Sequence, residues 1–205
     1  MLNVGLTGGI ACGKTTILAM FAKLGAHTVR ADEVAHRLMA PGQTVYARIV
    51  GAFGPGILAP DGSISRPALA AIAFPDRIAE LNAIVHPAVL AYEDDWTRNV
   101  GKNHPRAVAI CEAALLIEAG GRSRYDKLIV VTCPLEQKIS RFAARAAITL
   151  DAARIEVERR MAAQMPESEK VKFADFVIDN SMDKDAAQRR VLEIWQQLVP
   201  AARSL

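Results

Sequence analysis

The sequence has little with which to cross a membrane, build a disulfide framework or coat a polyanion. No apolar run approaches the roughly 20 residues that span a bilayer, and the nearest candidate, Ala107 to Ile117, is interrupted by Glu112. The expected first strand begins almost at Met1, leaving no stretch patterned as a signal peptide. Three cysteines at no metal-like spacing predict reduced thiols in a cytoplasmic protein. Internal repeats, low-complexity tracts and long linkers are missing, and nothing sets an oligomeric state. A formal charge of +3 and a pI near 8.9 suit small anionic substrates and give no footing for a nucleic-acid partner. A GTPase switch would be expected to show a DxxG turn and an NKxD guanine motif, and the chain contains neither.

What remains is 205 residues, 51% hydrophobic and 23% charged, enough for one domain with insertions or one domain plus a small appendage. The stretch Gly8 to Thr16, GGIACGKTT, fits GxxxxGK[ST]. Glycines let successive backbone N–H groups turn inward on phosphate oxygens where a Cβ would obstruct. The loop residues Gly9, Ile10, Ala11, Cys12, Gly13, Lys14, Thr15 and Thr16 are therefore expected to bind a nucleotide. Lys14 would reach the β- and γ-phosphates, and the Thr15 hydroxyl would ligate Mg²⁺ brought with ATP. The context agrees with the motif. Leu2 to Thr7 reads as a buried strand; Ile17, Met20, Phe21 and Leu24 recur at helical spacing, with Gly25 placed to end the helix.

Taken in order, His27 to Ala31 predicts a second strand, followed by Asp32 and Glu33. Ligands of open α/β sheets sit beyond the carboxyl ends of strands, which makes Asp32 the first acid to suspect of chemistry; a helix cap at Glu33 is the competing role. From Glu33 to about Pro105 the pattern is mostly helical, with turns at Pro41–Gly42 and Asp61–Gly62 and a helix start at Ser65–Pro67. Pro87 is expected to kink or restart the helix that carries His86. Arg106 to Cys111, Lys127 to Cys133 and Phe176 to Ile178 complete the strands. Glu112, ending the third, lies where P-loop proteins hold Mg²⁺ or its waters. Leu135, Ile139, Phe142 and Ala146 share one helical face, and Lys138, Arg141 and Arg145 form a basic stripe on another. Most of the later cations, Arg154 to Lys172, read as a solvated face laced with glutamates, with one or two arginines kept for phosphoryl transfer. A closing helix from about Asp183 should pack on the sheet.

The pattern predicts an α/β protein of the P-loop NTPase fold: a five-stranded parallel sheet flanked by helices, with a helical substrate-binding insertion and a helical lid. The core is expected over residues 1–32, 106–134 and 167–205, the insertion over 33–105 and the lid over 135–166. Small-molecule kinases are built this way, because ATP must be shielded from water during transfer. Another small-molecule kinase with a different acceptor, or a nucleotide-binding regulator that has lost catalysis, would share the pattern.

The run GLTGGIACGKTT, with RADE at Arg30 to Glu33, HP at His86, LLIE at Leu115 to Glu118, RFAAR at Arg141 to Arg145, QMP at Gln164 to Pro166 and ADFVIDN at Ala174 to Asn180, resembles the dephospho-CoA kinase family. The resemblance runs in order over nearly the whole chain. It implies ATP-dependent phosphorylation of the ribose 3′-hydroxyl of dephospho-CoA, the last step in making coenzyme A. It also implies Asp32 as base, Lys14 and Arg145 as charge neutralisers, and Asn180 near the adenine. Thr7, Asp32, His86, Leu115 and Arg141 would hold the acceptor; Thr15 and Glu112 would serve Mg²⁺. Several positions depart from the family. Ala11 and Cys12 replace Gly and Ser, Ala113 and Ala114 replace Val and Pro, and Arg30 replaces an acid. Arg30 either pairs with Asp32 and weakens it as a base or points away. Cys12, beside a helix N-terminus, is expected to tend toward thiolate, so that oxidation would block ATP binding.

Overall fold

The computed structural model describes residues 1–204. The elements run β1 (Leu2–Gly8), α1 (Lys14–Lys23), β2 (His27–Arg30), α2 (Ala31–Leu38), α3 (Thr44–Phe53), α4 (Arg66–Ala73), α5 (Ile78–Asn103), β3 (Val108–Glu112), β4 (Lys127–Thr132), α6 (Leu135–Ala146), α7 (Leu150–Ala162), α8 (Glu167–Lys172), β5 (Phe176–Asp179) and α9 (Lys184–Arg203). The strands form one five-stranded sheet in the order β2-β3-β1-β4-β5. Pairing is parallel, with Leu6 opposite Glu112 on one side of β1 and Gly8 opposite Val131 on the other. Strand order therefore reverses about β1, whose carboxyl end is where an α/β sheet opens its crevice.

Two compact units divide the chain, one of Met1–Thr28 with Asn99–Leu205, the other of Val29–Arg98. The first holds the sheet core. β3 and β4 are buried on both faces and read as continuous apolar runs, as parallel strands must. Leu6, Ile129 and Val131 pack with Ile17 and Phe21 of α1 and with Val191, Ile194 and Leu198 of α9. Asp183 caps α9 by accepting the Ala186 N–H at 2.8 Å. A separate cluster joins Ile139 and Phe142 of α6, Ala153 and Val157 of α7, and Ile10 of the glycine loop. The second unit has its own core of Val45, Ile49, Phe53, Ile57, Leu69 and Ile84, and Ser65 caps α4 as expected.

Two local expectations fail. α5 runs unbroken through Pro87, because a long apolar face shared with this core outweighs one lost backbone hydrogen bond. β2 ends at Arg30 and α2 opens at Ala31, so Asp32 is the second helical residue and Arg30 stands at the cap without a capping side chain. The capping role for Asp32 is thereby excluded.

Candidate functional site

The glycine loop is shaped by close approach. A Cβ on Gly8 would lie 2.2 Å from the Val131 carbonyl, and one on Gly13, at φ 92°, would lie 2.2 Å from Asn180 Nδ2. Asn180 donates that amide to the Cys12 carbonyl at 2.8 Å, while its own carbonyl accepts from Arg141 at 2.9 Å. Gln137 donates to the Ser181 carbonyl at 2.6 Å. The loop is thus braced by β5's exit and by α6, and Asn180 acts on its backbone from outside. Ile10, anchored in the α6–α7 cluster, fixes the opposite shoulder. Lys14 folds back to donate to the Gly8 and Gly9 carbonyls at 3.1 and 3.0 Å. Those are the bonds a phosphate would replace, since they hold the ammonium over the loop without neutralising it. Thr15 is exposed in the first turn of α1, where the helix dipole faces an anion.

Ala11 adopts φ 54°, a left-handed conformation that costs an L-residue roughly 1–2 kcal/mol. Ala11→Gly is accordingly expected to stabilise the chain by about 1 kcal/mol, seen as a higher urea midpoint at unchanged ATP affinity. An unmoved midpoint would show that the loop carries no such strain.

Cys12 corrects the redox expectation. Its side chain is fully buried in the sheet core, and burial pushes the thiol above its ordinary value, outweighing the nearby Lys14. It is a packing residue, and no thiolate gate follows from it. Burial likewise raises the Cys133 thiol.

Around the loop lie charges whose sequence context hid their role. Lys138, read as part of the basic stripe of α6, is buried and donates to Glu167 Oε2 at 2.6 Å. Its Nζ would stand 3.3 Å from a Cβ on Gly9. Lys170, placed with the solvated cations, is 1% exposed and reaches Glu118 at 2.8 Å and the Ala114 carbonyl at 3.1 Å. Glu118 also accepts the Met165 N–H at 3.0 Å. The LLIE and QMP stretches therefore meet at one carboxylate. The glutamate-laced face holds elsewhere: Arg154 bridges α7 to Glu136 of α6, and hydrogen bonds from Arg159 and Arg160 hold the Glu156 carboxyl down to about 2. Arg145 is exposed at the end of α6, its guanidinium 5.3 Å above the Phe142 ring.

Of the acceptor residues, Thr7 is buried and donates to the Ala114 carbonyl at 3.3 Å, beside the half-exposed Leu115. Glu112 is buried at the end of β3. Asp32 and His86 belong to the second unit, and both are exposed. Arg30 ion-pairs with Glu33. Asp32 opens on a cleft of about 600 Å³ lined by Arg30, Asp32, Glu33, His36, Arg37 and Arg66. Sequence reasoning overlooked the last three. Helical spacing from Asp32 and Glu33 would have found His36 and Arg37, each four residues on, but Arg66, some thirty residues on, left no signal.

Among the described residues no cluster of His, Cys, Asp or Glu has the makings of a metal cage. Mg²⁺ brought with a nucleotide is commonly held by phosphate oxygens, waters and one or two protein oxygens, and the Thr15 hydroxyl is exposed at the end of the glycine loop. No helix of the described residues is long and apolar enough to cross a membrane.

The family model for dephospho-CoA kinase matches residues 2–186. A dephospho-CoA kinase of Geobacter sulfurreducens is 41% identical over 199 residues, covering 96% of this chain and 98% of the relative. Among solved structures, TT1252 of Thermus thermophilus superposes with a TM-score of 0.80 at 29% identity, covering 96% of each chain. A dephospho-CoA kinase of Campylobacter jejuni, at 24% identity and TM-score 0.62 over 96% of each chain, shares the fold.

Proposed function

The chain belongs to the dephospho-CoA kinase family, whose members phosphorylate the ribose 3′-hydroxyl of dephospho-CoA in the last step of coenzyme A synthesis, and from that premise we propose the residues that do the work here. Asp32 orients the 3′-hydroxyl and takes its proton. The backbone N–H groups of residues 9–16 cradle the ATP phosphates, and Lys14 leaves the Gly8 and Gly9 carbonyls to contact the β- and γ-phosphates. Arg145 adds positive charge over the migrating group, and Asn180 lies toward the adenine. Mg²⁺ at Thr15, with Glu112 toward its water shell, would neutralise charge developing between the β- and γ-phosphates. Leu115, Arg141 and His86 contact the acceptor, and Thr7, fully buried, acts instead by holding the Ala114 carbonyl that precedes Leu115. Residues 33–105 hold the coenzyme A moiety, 135–166 form the lid, and 1–32, 106–134 and 167–205 bind the nucleotide.

A loose, metaphosphate-like transition state leaves the protein chiefly positioning and electrostatic work. Aligning hydroxyl and γ-phosphate supplies roughly 7–11 kcal/mol of the barrier reduction. The reaction partners are small molecules, and the three free, buried cysteines suit the reducing cytoplasm.

The observation that carries this reading is the glycine loop with Lys14 folded over it, in a chain matched by the family model almost end to end. ADP release with ATP, Mg²⁺ and dephospho-CoA tests it, against parallel reactions with nucleoside monophosphates or no acceptor. Turnover is expected with dephospho-CoA alone. Turnover only on another acceptor would overturn the substrate, and nucleotide binding without turnover on any acceptor would point to a regulator.

A further inference from the structure

We propose that the cleft beside Asp32 is an anion site that takes the diphosphate of the acceptor, with Arg37 and Arg66 as its specificity-determining residues. This rests on the reading of Asp32 as the base. All six residues lining the cleft are charged or titratable, so its directional contacts suit a charged ligand. Its charges do not cancel. Glu33 offsets Arg30, which leaves the guanidinium groups of Arg37 and Arg66 facing the single carboxylate of Asp32.

Several other arginines of the chain are neutralised where they stand. Arg77, Arg98, Arg154, Arg159, Arg160 and Arg190 each sit on a carboxylate. Arg37 and Arg66 have no such carboxylate partner among the described residues. Arg37 is nevertheless held in place, its guanidinium 5.2 Å above the Tyr92 ring. A guanidinium held over a ring face by a cation–π contact uses none of its N–H donors there, so they remain available to grip a phosphate. Arg66 is the first residue of α4, next to the Ser65 cap that fixes where the helix starts.

Spacing supplies the remaining argument. Asp32 and His36 are four residues apart on α2, on one face and about 6 Å apart along the axis. That is close to the span a ribose places between its 3′-hydroxyl and the phosphates on its 5′ carbon. A 3′-hydroxyl at Asp32 thus leaves a 5′-diphosphate within the same cleft, whose lining includes Arg37 and Arg66. The diphosphate of dephospho-CoA is in the acceptor and that of ATP in the donor; the cleft shares its unit with Asp32 and not with the glycine loop, which favours the acceptor.

The test is steady-state kinetics of Arg66→Gln and Arg37→Gln with two acceptors, dephospho-CoA and adenosine, which carries the 3′-hydroxyl without phosphates. Loss of charged hydrogen bonds to the diphosphate is expected to lower the ratio of kcat/KM for dephospho-CoA to that for adenosine by about 10–100-fold. The effect should appear in KM for dephospho-CoA, with KM for ATP unmoved. Arg66→Lys, which restores the charge but not the fork, should recover part of the ratio. An unchanged ratio overturns the proposal, whether both acceptors are unaffected or both suffer equally through damage to the fold. A rise confined to KM for ATP also overturns it, by assigning the cleft to the donor. A wild-type enzyme inert toward dephospho-CoA would overturn the functional reading, and this one with it, whereas turnover with an unaltered ratio sinks the anion site alone.

Discussion

Asp32→Asn is expected to lower kcat by about 10²–10⁴-fold, the range for losing a general base, while leaving the fold intact. The placement of Asp32 makes the two effects separable. As the second residue of α2 it caps nothing, and its side chain is exposed. Removing its charge near a helix N-terminus costs only about 0.5 kcal/mol. Asn keeps the shape and can still hydrogen-bond the hydroxyl, so KM for dephospho-CoA should change far less than kcat. Turnover of the variant and its urea midpoint, measured together, decide the matter. A variant with near-normal kcat would remove Asp32 from the chemistry, because positioning by Lys14 and the loop would then suffice.

Lys170→Met carries the largest expected loss of stability. Lys170 is 1% exposed and its partner Glu118 only 20%, so the substitution strands a mostly buried carboxylate. We expect a loss of about 3 kcal/mol, the lower end for breaking a buried pair, since Glu118 keeps some water. Its effect should reach beyond stability. The Ala114 carbonyl, which accepts from both Lys170 and Thr7, precedes Leu115, so KM for the acceptor should rise as well. Adding Glu118→Gln removes the stranded charge and should restore roughly half of the loss. Equal midpoints for Lys170→Met and the wild type would show the pair to be solvated, and a double variant no better than the single would show that packing matters more than charge.

Much of this protein is legible in one dimension because its signals are local. The glycine loop, its preceding strand and its following helix lie within some twenty residues, and the turn that binds phosphate is set by backbone conformations that only small residues adopt cheaply. The strands of the sheet announce themselves as short apolar runs, since a parallel sheet is buried on both faces. Asp32 was legible as a candidate for the same reason, by standing just past a strand. The helix breaks were less so. Pro87 carries a local penalty that a tertiary apolar face outweighs, and no window of sequence contains that face.

The charged residues divide along the same line. Periodicity placed Lys138, Arg141 and Arg145 on one stripe of α6, and only the packed structure separates them: Lys138 buried on Glu167, Arg141 bonded to the Asn180 carbonyl, Arg145 exposed over Phe142. Cys12 looked reactive from its neighbours in the chain and is inert in the core, because burial penalises a thiolate more than one lysine rewards it. The sequence by itself determined the phosphate loop, the sheet and the family, all of which rest on backbone conformation and apolar pattern. Which charges are paired, which are buried and which converge on a cleft was decided only by the tertiary structure, because the desolvation and Coulomb energies that set their roles depend on distances between residues far apart in the chain.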